Sequence, residues 1–385
     1  MYYKTIKNYF YIVIICFCIL QILGCEKITQ VIEPNEIENS NIPIGLVLPL
    51  SGRLSNTFGV PINQALQLAN DEINESTKYN FGFNFIVEDN YSTVVGATNA
   101  YNKFIEDGIS VIIGPATSTA TKETFPIADK NGVIAISPTS AARGLSSLSD
   151  YAFRIALTSD VLVPNGVEEI LSRFTFSRVA TLYDRNDEFS KDSEQALLEI
   201  LDLKEIEVVV SETFISGDVD FSQQLANIEM EKPDVVFVSS LPPEKVRIMK
   251  QSREFGITAR LVIRTLTDAD VEAAGDAAEG TITFTGWGTA VDNPLNKVFV
   301  KNFINKYGTV PKNYAARAYV TLYVLAEAIS NSTAIDTMSI RDALGKISEL
   351  DTIVGKFSFN QDGDAVYEPQ VLIVKDGKLE ILDTE

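Results

Sequence analysis

Two short apolar runs, each stopped by a turn, constrain the fold of this chain more than any other feature. Ser110–Ile113 is broken by Gly114-Pro115, and Val133–Ile136 by Ser137-Pro138. Runs this short and this β-branched fit strands buried on both faces, as in a parallel sheet. Between them lies a helical stretch that Ser118 or Thr119 can cap. It runs to about Lys130 and ends at the αL-capable pair Asn131-Gly132. In a parallel sheet, the loops Gly114–Ser118 and Ser137–Ala142 both leave carboxyl ends of strands, where open α/β sheets bind ligands. Both loops are small, hydroxyl-rich and uncharged up to Arg143. They suit a small polar ligand.

The same alternation extends in both directions. Ile42–Leu50 and Phe83–Glu88 read as strands, with helical patterns over Ile62–Asn74 and Thr93–Asp107, and Tyr151–Ile155 is a further apolar run. The pattern then restarts, with strands at Arg178–Tyr183, Glu207–Val210, Pro233–Val238, Leu261–Ile263 and Thr281–Phe284 and helices between them. Helical patterns at Pro294–Tyr307, Tyr314–Asn331 and Ser339–Leu350 are too many for one crossover, and short strands close the chain. The expected fold is α/β, with two doubly wound parallel-sheet, Rossmann-like lobes and a ligand cleft between them.

Composition sets the chemical limits. The chain has no histidine, and its three cysteines are Cys16, Cys18 and Cys25, all near the N-terminus. Serine–histidine and cysteine–histidine catalysis are therefore excluded, along with any zinc site containing histidine. No G-x-G-x-x-G follows the first strand, and no phosphate-binding G-x-x-x-x-G-K-[ST] is present. No cofactor, metal or enzymatic activity is expected. The net charge of −20 opposes nucleic acid and anionic surfaces.

The first residues read as an address. Lys4 and Lys7 precede the apolar run Tyr11–Leu20, and Ile22-Leu23-Gly24-Cys25 follows. This is the layout of a secretory signal, and the run is short for a membrane-spanning helix. An uncleaved anchor is the alternative. The small residue before Cys25 resembles a bacterial lipoprotein lipobox, which implies a signal peptide over 1–24 and lipidation of Cys25. Residues 25–41, with Pro34 and several glutamates, read as a flexible tether. The body would then be exported and lipid-anchored at an extracytoplasmic or periplasmic face.

Several segments in order resemble the type I periplasmic binding proteins, specifically the branched-chain amino-acid (leucine/isoleucine/valine) receptors of ABC transporters. They are IPIGLVLPLSGRLSNTFG at 42–59, VIIGPATS at 111–118, AISPTS at 135–140, VATLYDRNDEF at 179–189, AGDAAEG at 274–280 and FSFNQDGDA at 357–365. The resemblance implies two lobes that close on a ligand, joined by crossings near Ala156–Pro164, Gly286–Asp292 and Leu350–Gly355. It assigns 42–157 with 289–350 to the first lobe and 158–288 with 351–385 to the second. It also implies a non-enzymatic solute receptor that passes an amino-acid-like ligand to an ABC permease. The alternatives are a sensing subunit for a separate signalling partner and, with little support from the sequence, an enzyme on the same α/β fold.

The site residues it implies are Ser118, as a contact to a ligand carboxylate, and Thr139, Ser140 and Ala141 through backbone and hydroxyl groups. Phe58, Phe189 and Tyr319 fall where aromatic residues line the family's pocket. Here Ala141 stands where a hydroxyl residue is common. The loop expected to present an acid to a ligand amine reads IRTLTDAD (263–270), so Asp268 would serve only if the loop shifts, and Arg264 would suit an anion instead. The loop 239–244, SSLPPE, carries Leu241 and Pro242 in place of the family's aromatics.

Overall fold

The computed structural model describes residues 41–382. The signal 1–24, Cys25 and the tether up to residue 40 lie outside the described residues. In the first sheet, β1 (Asn41–Leu48) lies between β2 (Gly82–Asp89) and β3 (Val111–Ile113), and β4 (Ile134–Ser137) and β5 (Ala152–Arg154) follow. The order is β2-β1-β3-β4-β5, with every pairing parallel. β3, β4 and β5 are buried along their whole length, as strands covered on both faces must be. The crossovers are α1 (Val60–Glu75), α2 (Val94–Glu106) and α3 (Ser118–Asn131). Gly114 after β3 has φ +113°, and a Cβ there would lie 2.2 Å from the Val47 carbonyl oxygen. Glycine alone lets the loop after β3 lie against β1.

After β5 the chain passes through α4 (Ser159–Leu171) into the second sheet. There β6 (Arg178–Asp184), α5 (Glu188–Leu203), β7 (Glu207–Phe214), α6 (Ser222–Glu231) and β8 (Val235–Ser239) repeat the alternation. They are followed by α7 (Glu244–Glu254), β9 (Arg260–Ile263), α8 (Asp268–Ala274) and β10 (Ile282–Thr285). The chain then returns to the first lobe through α9 (Pro294–Tyr307), α10 (Asn313–Asn331) and α11 (Thr337–Leu344). Phe299, Leu322 and Ile340 share one apolar core with Ile44 and Leu66. Trp287, at this return, is buried, and its indole N–H donates to Asn296 Oδ1 at 2.7 Å.

The tail divides in a way the expected boundaries miss. β11 (Leu350–Thr352), β12 (Gly355–Phe359) and β13 (Ala365–Val366) form a small antiparallel sheet. It packs on the first lobe rather than the second, because Phe357, Phe359 and Tyr367 join the first core. The Phe359 ring lies 5.0 Å from that of Phe153, and Arg154 at the end of β5, fully buried, pairs with Asp364. Only β14 (Gln370–Lys375) and β15 (Lys378–Ile381) extend the second sheet, whose order is β15-β14-β10-β9-β8-β6-β7. The third crossing therefore lies between β13 and β14, not at 350–355.

Candidate functional site: a cleft between strand carboxyl ends

The carboxyl ends of strands from both sheets meet at one cavity with an empty volume of about 420 Å³, part of it open to solvent. The first lobe contributes Ala116–Ser118 after β3, Thr139 and Ala141 after β4, and Phe58 from the turn before α1. The second lobe contributes Phe189 in the first turn of α5, Ser240 and Leu241 after β8, and Arg264 and Thr265 after β9. Leu162 of α4 and Tyr314 and Arg317 at the start of α10 complete the walls. Doubly wound sheets bind ligands at this edge because the loops diverge there.

The two loops singled out in the sequence are tied together by their own hydroxyls. Thr117, not Ser118 or Thr119, caps α3, with its Oγ1 accepting from Ala120 N–H at 3.4 Å. Ser118 is thereby free for another role. Its Oγ accepts from the N–H groups of Ala141 at 3.1 Å and Ala142 at 3.2 Å. A hydroxyl with both acceptor positions used still has its proton to donate, and Ser118 lines the cavity. Thr139 also lines it, but its hydroxyl donates to the Ala116 carbonyl. Ser140 does not reach the cavity. Its Oγ lies 2.6 Å from Ser137 Oγ and 2.5 Å from Thr121 Oγ1, and holds the loop from inside.

The aromatic expectations divide. Phe58 lines the cavity with its ring 4.2 Å from that of Tyr314, and Phe189 lies on the opposite wall beneath the Arg264 guanidinium, 5.1 Å away. Tyr319 is elsewhere, because two residues after Arg317 it stands on the other side of α10, the side that faces α1. Its ring packs 4.5 Å from that of Phe299, and its hydroxyl, with that of Tyr323, donates to the Glu72 carboxylate. Asp268 also lies off the cavity wall, where it accepts from Thr289 Oγ1 at 3.4 Å. Burial raises its carboxyl above the usual range.

Sequence reasoning missed Tyr314 and Arg317 altogether. The available signal was a single arginine inside the otherwise apolar run YAARAYV (314–320). Arg264 is almost fully buried. Its Nε donates to Ser193 Oγ at 3.4 Å, while Nη1 and Nη2 have no partner. Burial, with the nearby Arg317 charge adding to it, pushes this guanidinium well below its ordinary pKa.

Polar contacts hold the lobes together around the cavity. Arg53 reaches from the first lobe to Ser216 Oγ at 2.8 Å, the Pro242 carbonyl at 3.2 Å and Glu244 at 3.3 Å. Thr119 Oγ1 donates to Asp187 Oδ1 at 3.1 Å and accepts from Glu188 N–H at 3.0 Å. Arg143 pairs with Asp192 at 2.7 Å. The cleft is closed.

The profile of the periplasmic binding protein family matches residues 41–378. The chain belongs to this family. It is 28% identical over 339 residues to the Leu/Ile/Val-binding protein BraC3 of Rhizobium johnstonii, covering 85% of this chain and 90% of that protein. Its fold matches the branched-chain amino acid transporter substrate-binding protein LivJ of Streptococcus pneumoniae, crystallised with isoleucine. The TM-score is 0.80 and the identity 26%, covering 89% of this chain and 99% of the other. It also matches an ABC transporter solute-binding protein of R. palustris in complex with benzoate, with TM-score 0.81, identity 22%, and coverage of 89% and 95%. This periplasmic binding protein thus has the two-lobed architecture that the sequence implies.

Proposed function

We propose that this periplasmic binding protein captures a small organic ligand by closing its lobes and delivers it to an ABC permease. In this reading Cys25 carries a lipid anchor at an extracytoplasmic membrane face. The observation that carries the reading is the cavity at the carboxyl ends of both sheets, walled by Ser118, Phe58, Phe189, Tyr314 and Arg264. Its walls combine apolar and aromatic side chains with converging hydroxyl and guanidinium groups, which suits a small organic ligand with a polar end. The relatives support it as well, since the ligands named with them, isoleucine and benzoate, both carry a carboxylate. The lobe boundaries that follow put 42–157, 289–350 and the β11–β13 segment in the first lobe, with 158–288 and β14–β15 in the second.

Titration calorimetry and thermal shift of the full chain in mild detergent test this, with amino acids, their amides and aromatic and aliphatic acids as ligands. The expected result is saturable one-to-one binding of at least one class, with a raised Tm. A chain inert to every class would defeat the proposal. In the same preparation, Cys25→Ala is expected to move the protein from the detergent phase to the aqueous phase, and unchanged partition would remove the anchor.

A further inference from the structure

The cavity holds more positive charge than its walls compensate. Arg264 and Arg317 both line it and each is 3% exposed. Nη1 and Nη2 of Arg264 and Nε of Arg317 have no hydrogen-bond partner. Among the described residues no aspartate or glutamate lines the cavity. The nearby acids are already engaged. Asp192 accepts from Arg143 Nε at 2.7 Å and from its N–H at 2.8 Å. Asp270 is paired with Lys245 at 2.8 Å and closes a capping box with Thr267. Asp187 accepts from Ser190 and Thr119. A buried cation without a counter-charge is costly, and native structures keep one where a ligand supplies the charge.

We infer that the ligand is an organic carboxylate with an apolar or aromatic body and no ammonium group, its carboxylate held by Arg264 and Arg317. This rests on the solute-receptor reading above. A guanidinium fork matches a carboxylate in two parallel hydrogen bonds, and one carboxylate answers the open Nη1 and Nη2 of Arg264. The Ser118 proton adds a neutral donor on the opposite lobe. An α-ammonium would sit beside two cations with no acid on the cavity wall to receive it, and like charges at that range disfavour each other. The body of the ligand is fitted by Phe58, Tyr314, Phe189, Leu162 and Leu241. A free amino acid would bring an ammonium group for which the described residues place no carboxylate on the cavity wall.

The test compares acids that differ only in the amine. The full chain is titrated with L-leucine and its deaminated counterpart isocaproate, with L-phenylalanine and hydrocinnamate, and with the neutral isostere isocaproamide. At least one deaminated acid is expected to bind ten times or more tighter than its amino acid, and isocaproamide to bind at least ten times more weakly than isocaproate. Arg264→Leu is expected to abolish acid binding while raising the Tm of the ligand-free protein, since it removes a buried charge that no carboxylate pairs with. Should that variant not fold, the wild-type comparison of isocaproate with isocaproamide decides alone. An amino acid that binds as tightly as its deaminated form, or an amide as tightly as the acid, overturns the inference and leaves the receptor reading standing. Failure of all of these together with every class in the broader ligand series overturns both.

Discussion

Asp89, at the end of β2, shows how a single carboxylate positions the site from outside it. Its Oδ1 accepts from the N–H groups of Leu50 at 3.0 Å, Ser51 at 3.2 Å and Tyr91 at 2.8 Å. It thereby anchors the loop that carries Arg53 and Phe58. Burial alone would raise its pKa, but the hydrogen bonds from Ser51, Tyr91 and Leu50 outweigh it and hold the carboxyl below the usual value. A carboxylate depressed in the folded state contributes stability above its unfolded pKa of 3.8, and loses it as pH falls through the lower folded value. Asp89→Asn keeps the acceptor and removes the charge. The expected loss is about 1 kcal/mol at neutral pH, modest because the site is partly solvated. Denaturant titrations of both proteins should converge once the pH is below the folded pKa, and a constant difference down to that pH would refute the account.

At the scale of elements, α10 does two jobs along its length. Its first turns present Tyr314 and Arg317 to the cavity, and the remainder packs on α1 as core. The change of role falls at Tyr319, whose hydroxyl shares the Glu72 carboxylate with Tyr323, while Asn302 Nδ2 donates to the other oxygen of Glu72 at 2.8 Å. Desolvation first, then the neighbouring Tyr323 and Glu72, push the Tyr319 phenol far up, so it stays protonated and donates to Glu72. Tyr319→Phe should therefore lower stability by about 1–2 kcal/mol and leave ligand affinity within twofold. A tenfold loss of affinity with unchanged Tm would return Tyr319 to the site. The aromatic register along α10 was readable in the sequence, but which turn meets the cavity was not. That depends on where α10 begins relative to the second crossing.

At the scale of the whole molecule, the lobes are joined by three crossings and latched by side chains whose partners are far away in sequence. Arg53 is the clearest latch, an exposed residue whose guanidinium pairs with Glu244, which is 1% exposed. Closed and open forms of such a receptor are in equilibrium, and a contact made only in the closed form adds to apparent affinity. Arg53→Ala should raise Kd about three- to tenfold, mostly through faster dissociation. Small-angle scattering should show ligand-free variant expanded relative to wild type. Identical dissociation rates and scattering would show that Arg53 does not act in closure. The apolar periodicity along the chain determined the alternating strands and helices, the second α/β unit and the two hydroxyl-rich loops of the first lobe. These follow from local patterns, because a buried strand must be apolar and a loop at its end must turn. Tertiary structure alone decided that Ser140 turns inward, that β11–β13 pack on the first lobe, and that Arg317 joins Arg264 at one cavity. Each of these depends on which distant surface a side chain meets, and a linear pattern of apolar and polar residues does not encode that.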